Sequence, residues 1–223
     1  MKSVRLLGIV LLAAMPFLTM KAQKAMTPQD LQDWKRITTR TISNDGQWAA
    51  AMFTPWKGDS EVQLWSVDGK AVKTYSPASE VRFSSSYALV KKVPADALMD
   101  ELKLKKTKKD KMPMDELIIR NLKNGTEWTI DSLKGYKLAE EGEWLAYQRT
   151  RKDSSLVVIS LDGTQKYVLP SASAYGFAKE KAALYFVTKE DKDGKKPGMY
   201  VWTPETTQPV LVKEGKGVFV QPI

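Results

Sequence analysis

The chain has 223 residues, seven tryptophans, 43% apolar and 27% charged residues, enough for one large or two small soluble domains with a real core. It contains no histidine and no cysteine. A Ser-His-Asp or Cys-His triad and any disulfide are therefore excluded within it, and without these two ligand types a zinc or other transition-metal site is not expected. The net charge of +9 comes from residues 1–22 and a lysine cluster at 103–111, and the rest is nearly neutral.

Residues 1–22 read as a secretory signal. Lys2 and Arg5 form a basic start, Leu6 to Met20 is apolar apart from Gly8, Pro16 and Thr19, and Ala22 precedes a plausible cleavage point. The apolar run is short for a spanning helix and Pro16 interrupts it, so no stable membrane span is expected after cleavage. The protein is expected to be exported, to the periplasm or the exterior. With no cysteine at the cut it is not a lipoprotein.

Thr27-Pro28-Gln29-Asp30 has the chemistry of a helix opening: a capping hydroxyl, a proline for the first position and an acid for the first turn. Leu31, Trp34 and Ile37 follow at three-residue spacing. A short helix within 23–37 is predicted, packed on the rest of the chain by Trp34.

From residue 38 onward the pattern is that of short strands. One series opens an apolar run at Trp48, Tyr87, Trp144 and Ala183, at spacings of 39, 57 and 39. A second series is a tight turn after an apolar run: Asp68-Gly69, Asn124-Gly125 and Asp162-Gly163, 56 and 38 apart. A period near forty with several strands per repeat predicts β-propeller blades. Both series stretch across the same place, so an insertion at 94–116 is predicted in the second blade. It holds Lys103, Lys105, Lys106, Lys108, Lys109 and Lys111, and reads as a solvated loop. The fold class is all-β. About four blades occupy 38–223, and Gly217 to Val220 resembles the start of a fifth.

No residue is singled out as catalytic, cofactor-binding or metal-ligating, and no cofactor is expected. There is no G-x-S-x-G elbow and no glycine-rich phosphate loop. Glu140, Glu141 and Glu143 occupy the turn position that Asn44-Asp45-Gly46 holds in the first blade. Asp191 and Asp193 lack the spacing of a calcium loop. Trp48, Trp65, Trp128, Trp144 and Trp202 recur at blade positions and read as core. The lysine cluster has no interleaved aromatics, so nucleic acid is not an expected partner.

Asp33-Trp34-Lys35-Arg36-Ile37 followed by Ile42-Ser43-Asn44-Asp45-Gly46-Gln47-Trp48 resembles the opening of secreted S9 family peptidases of the prolyl oligopeptidase and dipeptidyl peptidase type, in the version common in Bacteroidetes. So does the lysine-rich insertion ending in Lys111-Met112-Pro113 before Leu117–Leu122 and Asn124-Gly125. The resemblance covers the whole mature chain but only the start of a family member. It implies a propeller that caps a C-terminal α/β-hydrolase domain and restricts peptide access to a Ser-Asp-His triad. None of the triad lies in this chain, which is expected to be inactive alone. The family's substrate-amine glutamates are not carried over to Glu140-Glu141. Two alternatives stand: a stand-alone periplasmic TolB-like or WD40-like propeller acting as a binding scaffold, and a small glycan-binding surface protein with exposed aromatics on one face.

Overall fold

The computed structural model describes residues 26–150, 154–189, 197–206 and 208–215. The signal segment, Asp191 to Gly194 and Gly217 to Val220 lie outside the described residues. Fifteen strands are described, in three antiparallel sheets that make four four-stranded meanders. Blade I is β1 (Lys35–Ile42), β2 (Trp48–Pro55), β3 (Glu61–Ser66) and β4 (Ala71–Tyr75). Blade II is β5 (Ala78–Ser84), β6 (Tyr87–Lys92), β7 (Asp115–Asn121) and the first part of β8 (Glu127–Leu138). Blade III takes the second part of β8, then β9 (Trp144–Arg149), β10 (Leu156–Ser160) and β11 (Lys166–Leu169). Blade IV is β12 (Ala174–Phe177), β13 (Leu184–Thr188), β14 (Gly198–Trp202) and β15 (Val210–Glu214).

The expected period holds. The second strand of each blade starts at Trp48, Tyr87, Trp144 and Leu184, the last one residue beyond the predicted Ala183. The three Gly-containing turns join third to fourth strands, with Gly69, Gly125 and Gly163 all at φ between +75° and +77°, where a side chain is disfavoured.

Period-two alternation splits every blade into two faces. In blades II to IV one face, carrying Ala88 and Val90, Leu145 and Tyr147, and Leu184 and Phe186, packs on the blade before it. In blades I to III the other face, carrying Ala50, Leu89 and Ala146, packs on the blade after it. Three apolar cores result, each between two blades. The inner blades are covered on both sides, so β10 (Leu-Val-Val-Ile-Ser) is buried along its whole length, as in any sheet sandwiched twice. Each fully buried Leu or Ile contributes about 1.5–3 kcal/mol.

Three expectations are corrected. First, helix α1 covers only Pro28–Asp33. It is fixed by a capping box in which the Thr27 amide donates to Asp30 (2.7 Å) and the Asp30 amide donates to Thr27 Oγ1 (3.2 Å). Trp34 is already extended and Lys35 pairs with Pro55, so Leu31, Trp34 and Ile37 share no helix face. Lys-Arg-Ile-Thr-Thr-Arg-Thr-Ile is rich in β-branched residues, which favour a strand, and blade I begins at Lys35. Second, the insertion is not a bare loop. It carries helix α2 (Asp96–Leu104) and a 3-10 turn at Lys109–Lys111, neither with a buried residue. Asp96-Ala-Leu-Met-Asp-Glu-Leu-Lys-Leu is dominated by strong helix formers, and Lys103 pairs with Asp100 and Lys105 with Glu101 on its surface. Third, Trp65 joins none of the three cores; it lies on the outer face of blade I, edge-on to Phe53. Trp202 is wholly buried, and Trp48, Trp128 and Trp144 pack against the cores as expected.

Candidate functional site

Antiparallel pairing of Lys35 with Pro55 places Trp34 and Trp56 side by side at one end of blade I. Trp34 precedes the first strand, and Trp56 opens the turn between the second and third. Pro28 and Leu31 of α1 close one side, and Arg36 completes an open cleft of about 420 Å³. Both indoles face solvent, Trp34 at 63% and Trp56 at 85% exposure. The neighbouring cation Lys35 is engaged with Glu61 at 3.0 Å. That contact draws the Glu61 carboxyl below its ordinary range against the opposing effect of burial. Arg36 has no ion pair among the described residues. The cleft thus offers two flat apolar surfaces and one available guanidinium, a set that stacks on a planar or sugar-like group and tolerates an anion beside it.

The blade II insertion shares this end of the molecule. The Asp96 amide, at the start of α2, donates to Asp59 Oδ1 of the Trp56 turn at 2.8 Å. A smaller crevice of about 180 Å³ lies at the root of α2, lined by Lys92, Val93, Leu98 and Met114 among others.

Polar contacts bind the blades to one another. Tyr75 on β4 donates to Glu127 on β8 at 2.7 Å, and Arg120 reaches the same oxygen at 2.6 Å with Lys73 at 3.8 Å. Burial raises the Glu127 carboxyl, but the hydrogen bonds from Tyr75 and Arg120 outweigh it and the group lies below its usual range. Burial first, then the Glu127 carboxylate, push the Tyr75 phenol well above its ordinary value. Between the first strands of blades III and IV, Tyr175 donates to the Gly135 carbonyl at 2.9 Å, and burial lifts its phenol to about 12. Arg82 stacks over Tyr136 at 6.0 Å, linking the first strands of blades II and III. These groups tie neighbouring blades together.

Glu140 and Glu141 are exposed on the β8–β9 turn with Gly142 at φ +76°, and Glu143 is half-buried beside them. They fill the turn position predicted for them. Among the described residues no three acidic side chains gather where a metal ion could sit, and no helix is long and apolar enough to cross a membrane. The Trp34–Trp56 cleft is the feature that the sequence reading missed. Its signal was Trp56 itself, a tryptophan followed by Lys-Gly-Asp-Ser in a turn, off the blade series.

No family model matches the sequence, and no curated protein matches it. Among solved structures, the chain is similar to the β-propeller domain of the Trilobed protease from Pyrococcus furiosus, at 10% identity and a TM-score of 0.49 over 82% of this chain and 58% of that one. It is also similar to the Pyrococcus horikoshii acylaminoacyl peptidase, at 10% identity and a TM-score of 0.47 over 82% and 33%. A eukaryotic initiation factor gives 13% identity and a TM-score of 0.49 over 81% and 44%. The chain therefore spans a third to somewhat over half of the length of these proteins.

Proposed function

We propose that this chain is the non-catalytic, exported propeller portion of an S9-type serine peptidase, restricting peptide access to a hydrolase domain encoded beyond it. The observation that carries the reading is the placement of the lysine-rich insertion. It falls between the second and third strands of the second blade, in a meander preceded by the Trp34–Ile37 and Ile42–Trp48 segments on which the family resemblance rests. With no histidine in the chain, a Ser-His-Asp triad cannot form within it, which is consistent with a non-catalytic role for this portion.

The test has two arms. A fluorophosphonate serine probe and a proline-containing dipeptide substrate should leave the 223-residue chain unlabelled and show no turnover. Reading the gene onward should give further blades at roughly forty-residue spacing, then G-x-S-x-G, then Asp and His. Specific labelling of one serine in the chain with turnover refutes the first arm. A stop codon directly after Ile223 in independent isolates refutes the second and promotes the scaffold reading. One observation favours the separate glycan-binding alternative: Trp34 and Trp56 are both solvent-facing, at 63% and 85% exposure. Glycan-array binding abolished by Trp56→Ala would support it.

A further inference from the structure

The connections from second to third strand in blades I and II lie at the same end of the molecule, away from the cores. Between them they carry the two most exposed large apolar side chains among the described residues, Trp56 at 85% and Leu104 at 84%. Both sit against lysine: Trp56 precedes Lys57, and Leu104 lies between Lys103 and Lys105. Six of the nine residues from 103 to 111 are lysine, with Asp110 the one acid. The two connections are stitched together by the Asp96 amide, which donates to Asp59 Oδ1 at 2.8 Å.

Helix α2 is anchored at its root, where Leu98 lines a crevice with Val93, Pro94 and Met114, and its far end stands clear with no buried residue in it or in the 3-10 turn that follows. Lys103 and Lys105 pair with Asp100 and Glu101, while Lys106, Lys108 and Lys111 have no ion pair among the described residues. Composition decides what such a surface meets. Contacts between proteins are depleted in lysine and enriched in arginine, and a covering domain would have to desolvate a crowd of ammonium groups. Nucleic-acid surfaces interleave aromatics with their basic residues, and residues 103–111 contain none. An anionic lipid surface suits both kinds of side chain. Lysine stems reach along an apolar boundary and keep their charge among headgroups, and an exposed indole or leucine settles just beneath.

We propose that this end of the molecule docks on an anionic membrane surface, with the lysines of 103–111 among phospholipid headgroups and Leu104 and Trp56 inserted at the interface. The contact is peripheral and reversible. Each lysine held near an anionic surface raises partitioning about fivefold, and added salt weakens the attraction by screening it. The Asp59 contact to α2 sets Trp56 and the lysine run on one side, so both can meet one plane. The proposal rests neither on the peptidase reading nor on the apolar segment at residues 1–22.

The test is co-sedimentation of the full chain with vesicles of phosphatidylcholine alone and of phosphatidylcholine and phosphatidylglycerol in equal parts. The expected result is binding to the mixed vesicles, weakened by salt, and little binding to phosphatidylcholine. Lys106→Ala, Lys108→Ala and Lys111→Ala combined should lower partitioning about a hundredfold, and Leu104→Ser about fivefold, as part of a leucine's transfer free energy is lost. Tryptophan fluorescence should shift to the blue on the mixed vesicles, and Trp56→Ala should remove that shift. All five side chains are exposed, and thermal melts check that each variant folds. Every variant keeps residues 1–22, so binding that survives the triple lysine change belongs to that segment or another surface and overturns the proposal. Equal binding to both kinds of vesicle overturns it, as does a blue shift that Trp56→Ala leaves intact. So does tighter binding to a single-stranded oligonucleotide at the same salt. If the gene reads on, a longer product that fails to bind where this chain binds shows the insertion covered by its own protein, and overturns it too.

Discussion

Leu161 and Val67 hold the same turn position in blades III and I, and their different surroundings make a paired test of the blade-docking scheme. Leu161 is 0% exposed, packs in the core between blades II and III, and its carbonyl accepts from Trp128 Nε1 at 3.0 Å. Truncating a wholly buried leucine removes its transfer free energy and leaves a cavity, so Leu161→Ala should cost about 3 kcal/mol, within the roughly 2–5 kcal/mol seen for such changes. Val67 is 68% exposed, so Val67→Ala should fall within about 0.5 kcal/mol of wild type. With a urea dependence of about 2 kcal/mol per molar, the unfolding midpoint should drop by about 1.5 M for Leu161→Ala and by no more than about a quarter molar for Val67→Ala. Tryptophan fluorescence in a urea titration reports both, at a dilution where the chain is monomeric. Equal shifts for the two variants would refute the reasoning, because Val67 would then be covered as Leu161 is and the face of blade I that carries it would not be open.

Four further outcomes are expected. The Glu127 carboxyl lies below its ordinary range, so its stabilisation is complete above the unfolded carboxylate value and is lost as pH falls through the folded one. Wild type should lose stability on acidification from about pH 5 to pH 3, and Glu127→Gln should flatten that slope, read by thermal melts across pH. Gly125→Ala puts a methyl at φ +75° and 3.2 Å from Arg120 Nη2, and should cost about 1–2 kcal/mol; Gly69→Ala at φ +76° meets open space and should cost less by melting temperature. Gln148, only 4% exposed, donates to the Ser154 and Ala172 carbonyls at 3.1 and 3.0 Å. Gln148→Leu strands both acceptors and should cost about 1–3 kcal/mol in urea unfolding. Limited trypsin should cut first between Lys103 and Lys111, as both helical pieces there lack buried residues; early cuts within blade III would contradict the exposed insertion.

The blade repeat was legible because its signals are local. A left-handed turn needs Gly at one position, and an aromatic or apolar opening marks each second strand. What could not be read depends on pairing across distance. The sequence shows Thr and Ile in Lys35–Ile42 but also an N-capped start before it, and only pairing of β1 with β2 ends the helix at Asp33. Nothing in Asp131-Ser-Leu-Lys-Gly135 says that the chain continues as one strand, Glu127–Leu138, from blade II to blade III. The α2 segment was hidden by the lysines around it, which look solvated whether or not the backbone is helical. Trp65 carries the same letter as Trp48, and burial depends on whether another blade lies over it. The Trp34–Trp56 cleft is invisible for the same reason, since its two indoles are twenty-two residues apart in sequence and meet through one strand pairing.

The unbroken strand Glu127–Leu138 has a mechanical consequence. It turns a corner at Ser132, whose φ is +53°, and is hydrogen-bonded to β7 on one side and β9 on the other. The Ser132 carbonyl is held by the Thr150 amide at 2.8 Å. No loop separates blades II and III, so no hinge can form between them without breaking paired backbone. Blade I is joined through Ser76-Pro77 and blade IV through residues 170–173, outside any strand. Hydrogen exchange should therefore protect residues 127–138 as one unit and release the two flanking connectors earlier. If the blades separate, they part at those two seams, and the central pair swings as a single leaf.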